Sequence, residues 1–194
     1  MAPIVLASTS PYRRELLARL RVPFEVAAPR VDESARADEA PESTARRLAL
    51  AKASAIAADR TDAIVIGSDQ VADVDGEPLS KPGSHAAALA QLERMQGRSI
   101  VFHTALAVVH GSPSRAEVDS VPTIVTFRQL PRAALEAYLL AERPYDCAGA
   151  AKIESLGIAL VESVRSDDPT ALIGLPLIRL TSMLAACGIE LPLR

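Results

Sequence analysis

The chain has 194 residues, 49% of them hydrophobic, which is enough for one core and a single unit spanning residues 1–194. A net charge of −3 without a long block of like charge excludes polymeric nucleic acid as a partner, and the lack of an apolar run of spanning length, or of a basic segment ahead of the short apolar N-terminus, excludes a membrane. Cys147 and Cys187 stand far apart and outside any Cys-x-x-Cys pair, so neither a disulfide framework nor a zinc site is indicated and a cytoplasmic, reducing setting is expected.

Residues 4–7 form a short apolar run, followed by Ser8-Thr9-Ser10-Pro11 and an amphipathic segment carrying Leu16, Leu17 and Leu20. This predicts strand, turn and helix, with Ser10 as N-cap and Pro11 at the first helical position. A second helix is predicted over 42–58, and the β-branched run 63–67 reads as a buried strand that ends before Ser68-Asp69-Gln70. Asp75-Gly76 signals a hairpin. A helix over 84–95 stops at Gly97, and two long strands over 99–110 and 117–127, joined by Gly-Ser-Pro-Ser, are expected to pair antiparallel. A helix over 131–140, a short strand over 157–161 and a helix over 177–187 ending at Gly188 complete the series. The alternation predicts an α/β fold.

Several side chains stand where ordinary packing does not need them. Arg13 and Arg14 fall in the first turn of a helix, where the macrodipole is positive and cations are disfavoured. They are either solvated surface charges or, with the serine-rich turn, an anion cradle. Lys52 falls among Ala45, Leu48, Ala49 and Ile56 in an apolar stripe, so it either snorkels to the rim or meets a buried partner. Asp69 follows the predicted end of a buried strand, the position from which open α/β sheets present ligand-binding groups, although an Asx-turn fits the same pattern. Asp32 and Glu33 add a carboxylate pair, and Lys81 sits in the rigid Ser80-Lys81-Pro82-Gly83 turn. Converging carboxylates and cations of this kind suit phosphoryl or nucleotidyl transfer with a divalent metal. His85, His103 and His110 lack metal-ligand spacing, and no P-loop, dinucleotide fingerprint, zinc-protease motif or nucleophile elbow is present. Asp73-Val-Asp75 matches a short metal-holding motif of some nucleotide-sugar transferases, but it overlaps the turn signal.

Taken in order, Leu-Ala-Ser-Thr-Ser-Pro-Tyr-Arg-Arg at 6–14, Val-Asp-Glu at 31–33, Ala-Lys-Ala at 51–53, Ile-Gly-Ser-Asp-Gln at 66–70, Lys-Pro at 81–82, Cys-Ala-Gly at 147–149 and Leu-Ile-Gly-Leu-Pro at 172–176 cover nearly the whole chain. The series closely resembles the Maf family of nucleotide pyrophosphatases. That resemblance implies an ITPase-type fold with an extended mixed sheet flanked by helices, two lobes with a central cleft, and cleavage between the α- and β-phosphates with Mg²⁺ or Mn²⁺. It casts Asp69 as proton acceptor. It places Ser8, Arg13, Arg14, Glu33, Lys52 and Lys81 around the nucleotide, with Asp69 and Glu33 toward the metal. Arg13, Gln70 and Glu154 match the positions assigned to substrate specificity, and the last two resemble the YceF-type branch, which implies 7-methyl-GTP as substrate. The alternatives are a dTTP/UTP pyrophosphatase, a nucleotide-binding regulator of septum formation that does not hydrolyse, and a transferase using Asp73 and Asp75. The resemblance also suggests a homodimer.

Overall fold

The apolar N-terminal run forms strand β1 (Ile4–Ala7) and turns at once into helix α1 (Pro11–Ala18), whose first N–H groups are capped by Ser10: its Oγ accepts from Arg13 N at 3.4 Å. The computed structural model describes residues 2–34, 36–79, 81–111 and 114–192. Helix α1 stops at Ala18, so Leu20 packs from the following turn while Leu16 and Leu17 are fully buried. A short edge strand β2 (Glu25–Ala27) precedes helix α2 (Pro41–Ala57).

The predicted strand over 63–67 is longer than its apolar run. Strand β3 (Ile64–Val74) continues through Ser68, Asp69 and Gln70, because strand β5 (Ser99–His110) pairs antiparallel with it from Val65 to Asp73 and satisfies its backbone on that side. Asp75 and Gly76 both take positive φ, as a two-residue hairpin turn requires, and return the chain as β4 (Glu77–Leu79). Helix α3 (His85–Met95) follows, then β5 and strand β6 (Arg115–Phe127), which pair along their whole length as expected. Ser112 and Pro113 of the connecting turn, like Ser80, lie outside the described residues. After helix α4 (Arg132–Glu142), residues 157–161 are not the predicted strand. Ile158 N–H donates to Ser155 O and Val161 N–H to Ile158 O, three-residue bonds that make 3₁₀ turns over Leu156–Leu160. Strand β7 (Val161–Ser166) begins only after them, and helix α5 (Leu177–Ala186) closes the chain before Gly188.

One mixed sheet runs in the order β2-β1-β3-β5-β6-β7, with β4 on the far part of β3. Strands β2, β1 and β3 are parallel and the rest antiparallel. The parallel half is covered by α1 and α5 on one face, through Leu6, Leu16, Ile66 and Leu180, and by α2 on the other, through Ala45, Ala49, Val65 and Ala107. A separate core around Phe102, Leu92, Met95, Val125 and Leu139 joins α3 and α4 to the other end of the same strands. These cores make the two lobes. No helix among the described residues is long and apolar enough to cross a membrane.

Candidate active site

Strand β3 is flanked by β1 only from Ile64 to Gly67 and by β4 only from Ala72 to Val74. Residues 68–71 therefore have a strand neighbour on one side alone among the described residues. The strand that ends here is β1, not the strand carrying Asp69, and the carboxyl end of β1 opens the gap where a ligand can reach β3. A cleft of about 430 Å³ occupies the gap. That is within the roughly 300–1,000 Å³ usual for small-molecule sites.

Alternation along β3 sends Asp69 toward α2 and its neighbours Ser68 and Gln70 to the opposite face. Helix α2 lies close because of the residue two before Asp69: a Cβ at Gly67 would stand 2.2 Å from Ala49 O and 2.8 Å from Ala53 N. Small residues at 45, 49 and 53 complete the contact and set Lys52 over Asp69. The lysine in the apolar stripe thus has its partners. Its Nζ donates to Asp69 Oδ1 at 2.6 Å and meets Glu33 Oε1 at 2.9 Å, with Lys52 only 5% and Asp69 8% exposed. A buried ammonium shared by two carboxylates is a costly arrangement unless its geometry serves something, because removing one partner strands the other.

Arg13 reaches the same end of the cleft, its Nε donating to Gly174 O at 2.8 Å. Burial pushes its guanidinium below the ordinary value, while Asp69 and Glu33 act in the opposite direction. Burial would raise Glu33, but the hydrogen bond and charge of Lys52, with Lys81 and Arg13 behind them, outweigh it and hold the carboxyl below its ordinary range. Lys81 is exposed on the cleft wall. Each carboxylate spends a single oxygen on Lys52. Among the described residues no group of three or more His, Cys, Asp or Glu side chains forms a preformed metal cage.

The other end of the cleft is lined by Tyr12, Asp146, Cys147, Ala151, Glu154 and Leu172. Burial raises the Glu154 carboxyl, with Lys152 opposing and Glu142 and Asp146 adding to the rise. Cys147 is pushed up to about 12, by burial first and then by Asp146 and Glu154, so it remains a thiol. Lys152 Nζ lies 5.4 Å from the Tyr12 ring centroid and 2.9 Å from Glu142 Oε1.

The structure brings Arg13, Glu33, Lys52, Asp69, Gln70, Lys81 and Glu154 together, and it places two expected residues elsewhere. Arg14 is one residue from Arg13 and so turned about 100° around α1. It lines a separate shallow groove with Ala18, Val22, Phe24 and Val26. Ser8 is buried in the β1–α1 turn, where its Oγ accepts from Ser10 N at 3.1 Å; it shapes the turn and does not line the cleft. Asp73 and Asp75 are occupied in the hairpin: Asp73 Oδ1 accepts from Gly76 N at 2.7 Å, and Asp75 pairs with Arg98. Tyr12, Asp146, Cys147 and Gly174 were not singled out as site residues, although Tyr12 sits inside the Ser-Pro-Tyr-Arg-Arg run and Cys147 inside Cys-Ala-Gly.

Residues 3–187 match the family described as Maf-like protein. The chain is 60% identical over 187 residues to a 7-methyl-GTP pyrophosphatase of Albidiferax ferrireducens, covering 96% of this chain and 94% of that protein. A 7-methyl-GTP pyrophosphatase of Paraburkholderia xenovorans is 59% identical over 191 residues, covering 97% and 93%. Among solved structures, a HAM1 protein from Coxiella burnetii superposes with a TM-score of 0.53 at 13% identity, over 96% of this chain and 100% of that one, and so shares the fold.

Proposed function

We propose, from the premise that this chain belongs to the Maf-like protein family, that it hydrolyses the α–β phosphate bond of 7-methyl-GTP to 7-methyl-GMP and pyrophosphate. The observation that carries this reading is the Lys52 ammonium held between Asp69 and Glu33 inside a cleft whose opposite end offers Glu154. Asp69 is the general base. Its carboxylate is fixed by a strand beneath it and an ammonium beside it, which aligns a water for in-line attack. Arg13, Lys52 and Lys81 neutralise the phosphates, giving a local positive field in a chain of net charge −3.

Glu33 and Asp69 offer hard carboxylate oxygens beyond those bonded to Lys52, and Mg²⁺ or Mn²⁺ commonly takes one or two carboxylates together with substrate phosphates, so these residues fit such an ion. When bound, the ion adds positive charge against the phosphate oxygens. At the other end, 7-methylguanine carries positive charge and presents N–H donors. Glu154 accepts from those donors and complements the charge, which a neutral side chain would not do.

The test is product analysis with purified protein, Mg²⁺ and a panel of triphosphates. Pyrophosphate with the monophosphate, formed fastest from 7-methyl-GTP, is the expected outcome. Inorganic phosphate as main product, or nucleotide binding without turnover, would refute it.

A further inference from the structure

On the face of β3 opposite Asp69, four side chains from three elements converge on residues 171–174. Gln70 Nε2 donates to Thr104 Oγ1 at 2.9 Å and to Leu172 O at 2.9 Å, with Ala171 O at 3.2 Å. Thr104, fully buried on β5, donates its own hydroxyl proton to Ala171 O at 2.9 Å. Ser68, also fully buried, has its hydroxyl 2.8 Å from Ala105 O and 2.9 Å from Gly174 O. That same Gly174 carbonyl accepts from Arg13 Nε.

We propose that Thr104 and Ser68 are positioning residues of the cleft, which act with Gln70 by clamping the 171–174 segment and thereby placing the Arg13 guanidinium. The proposal rests on the pyrophosphatase reading for its activity readout. The chemistry is directional. Both amide hydrogens of Gln70 have acceptors within the protein, so this amide group holds the wall formed by Leu172, Ile173 and Gly174. The carbonyl that orients Arg13 is shared with a buried hydroxyl, and it moves only if the clamp loosens. Thr104 does not itself line the cleft, so altering it changes no contact a nucleotide makes.

The decisive variant is Thr104→Val, which keeps the shape and removes the hydroxyl. Amide hydrogen exchange over 169–176 should accelerate, since Ile173 and Gly174 donate to Thr170 and Ala171 within this segment. The kcat/KM for 7-methyl-GTP should fall about tenfold, the size of one hydrogen bond to a charged or buried group. Thr104→Ser should restore both. Unchanged exchange, faster exchange with normal turnover, or a Thr104→Ser variant as impaired as Thr104→Val would each overturn the clamp. If Thr104→Val does not fold, Ser68→Ala carries the same expectations and the same refutations. Should the wild type release pyrophosphate from no triphosphate, the functional reading falls, and hydrogen exchange alone decides the clamp.

Discussion

The two ends of the cleft are built from different material. At one end three of the charged groups ride on regular structure, Arg13 on α1, Lys52 on α2 and Asp69 on β3; Lys52 bonds Asp69 at 2.6 Å, and Arg13 is held by Gly174 O at 2.8 Å. At the other end Asp146, Cys147 and Glu154 stand on turns between α4 and β7, and the carboxyl of Glu154 is raised by burial against the opposing effects of a backbone hydrogen bond and Lys152. On the proposed function the difference is a division of labour: the end assigned to phosphate is built on helices and a strand, and the end assigned to the base on turns that can change without disturbing it.

The hardest test of that division is Asp69→Asn. Loss of a general base removes roughly 10²–10⁴ of rate, so kcat should drop at least about 100-fold while KM and the circular dichroism spectrum stay near wild type. A variant retaining near-normal kcat would take Asp69 out of its role. Next in size is Gly67→Ala. The added methyl meets Ala49 O and Ala53 N, so α2 must retreat and carry Lys52 away from Asp69. Overpacking of this kind costs about 1–3 kcal/mol, and denaturant unfolding should show it together with a loss of kcat. Equal stability and activity would mean that the close approach of α2 does not set the rigid end.

The base end answers differently. Glu154→Gln should leave kcat for UTP nearly unchanged and lower the preference for 7-methyl-GTP over UTP by about tenfold, the scale of one charge-assisted hydrogen bond. A constant ratio of kcat/KM values would remove Glu154 from base recognition. The smallest effect lies where the rigid end is tied down. Arg47 on α2 holds Glu39 at 2.6 and 2.7 Å and reaches Ser34 O at 3.2 Å, next to Glu33. The hydrogen bonds from Arg47 bring Glu39 down from the ordinary 4.5 to about 2. Its stabilising share is therefore complete above 4.5 and disappears as the pH falls toward 2. The Tm advantage of wild type over Glu39→Gln should shrink between pH 5.5 and 3, and a gap that stays constant would contradict the pairing.

Much of the rigid end was legible in the sequence because polar residues among apolar ones advertise a need for partners. Lys52 in its alanine stripe and Asp69 after Ile64-Val65-Ile66-Gly67 are of this kind. The continuation of β3 was not legible, since it depends on pairing with β5 about forty residues later. Arg14 shares the first helical turn with Arg13, but the helix turns it away from the cleft into a separate groove, a divergence that position in the turn alone does not reveal. The engagement of Gln70 with residues 171 and 172 has no local signature at all. Glu154 sits in a Lys-Ile-Glu-Ser stretch that resembles any solvated loop, and only the order of motifs along the chain drew attention to it.

Strands β3 and β5 each pass through both lobes: Ile66 and Leu106 sit in one core, Ala72 and Phe102 in the other. They act mechanically as a beam. The ladder that runs from Val65 to Asp73 ties the two lobes through paired strands, with no single-chain hinge between them along β3 and β5. Scattering profiles with and without nucleotide are therefore expected to superimpose, and a clear compaction on binding would show that the paired strands do bend.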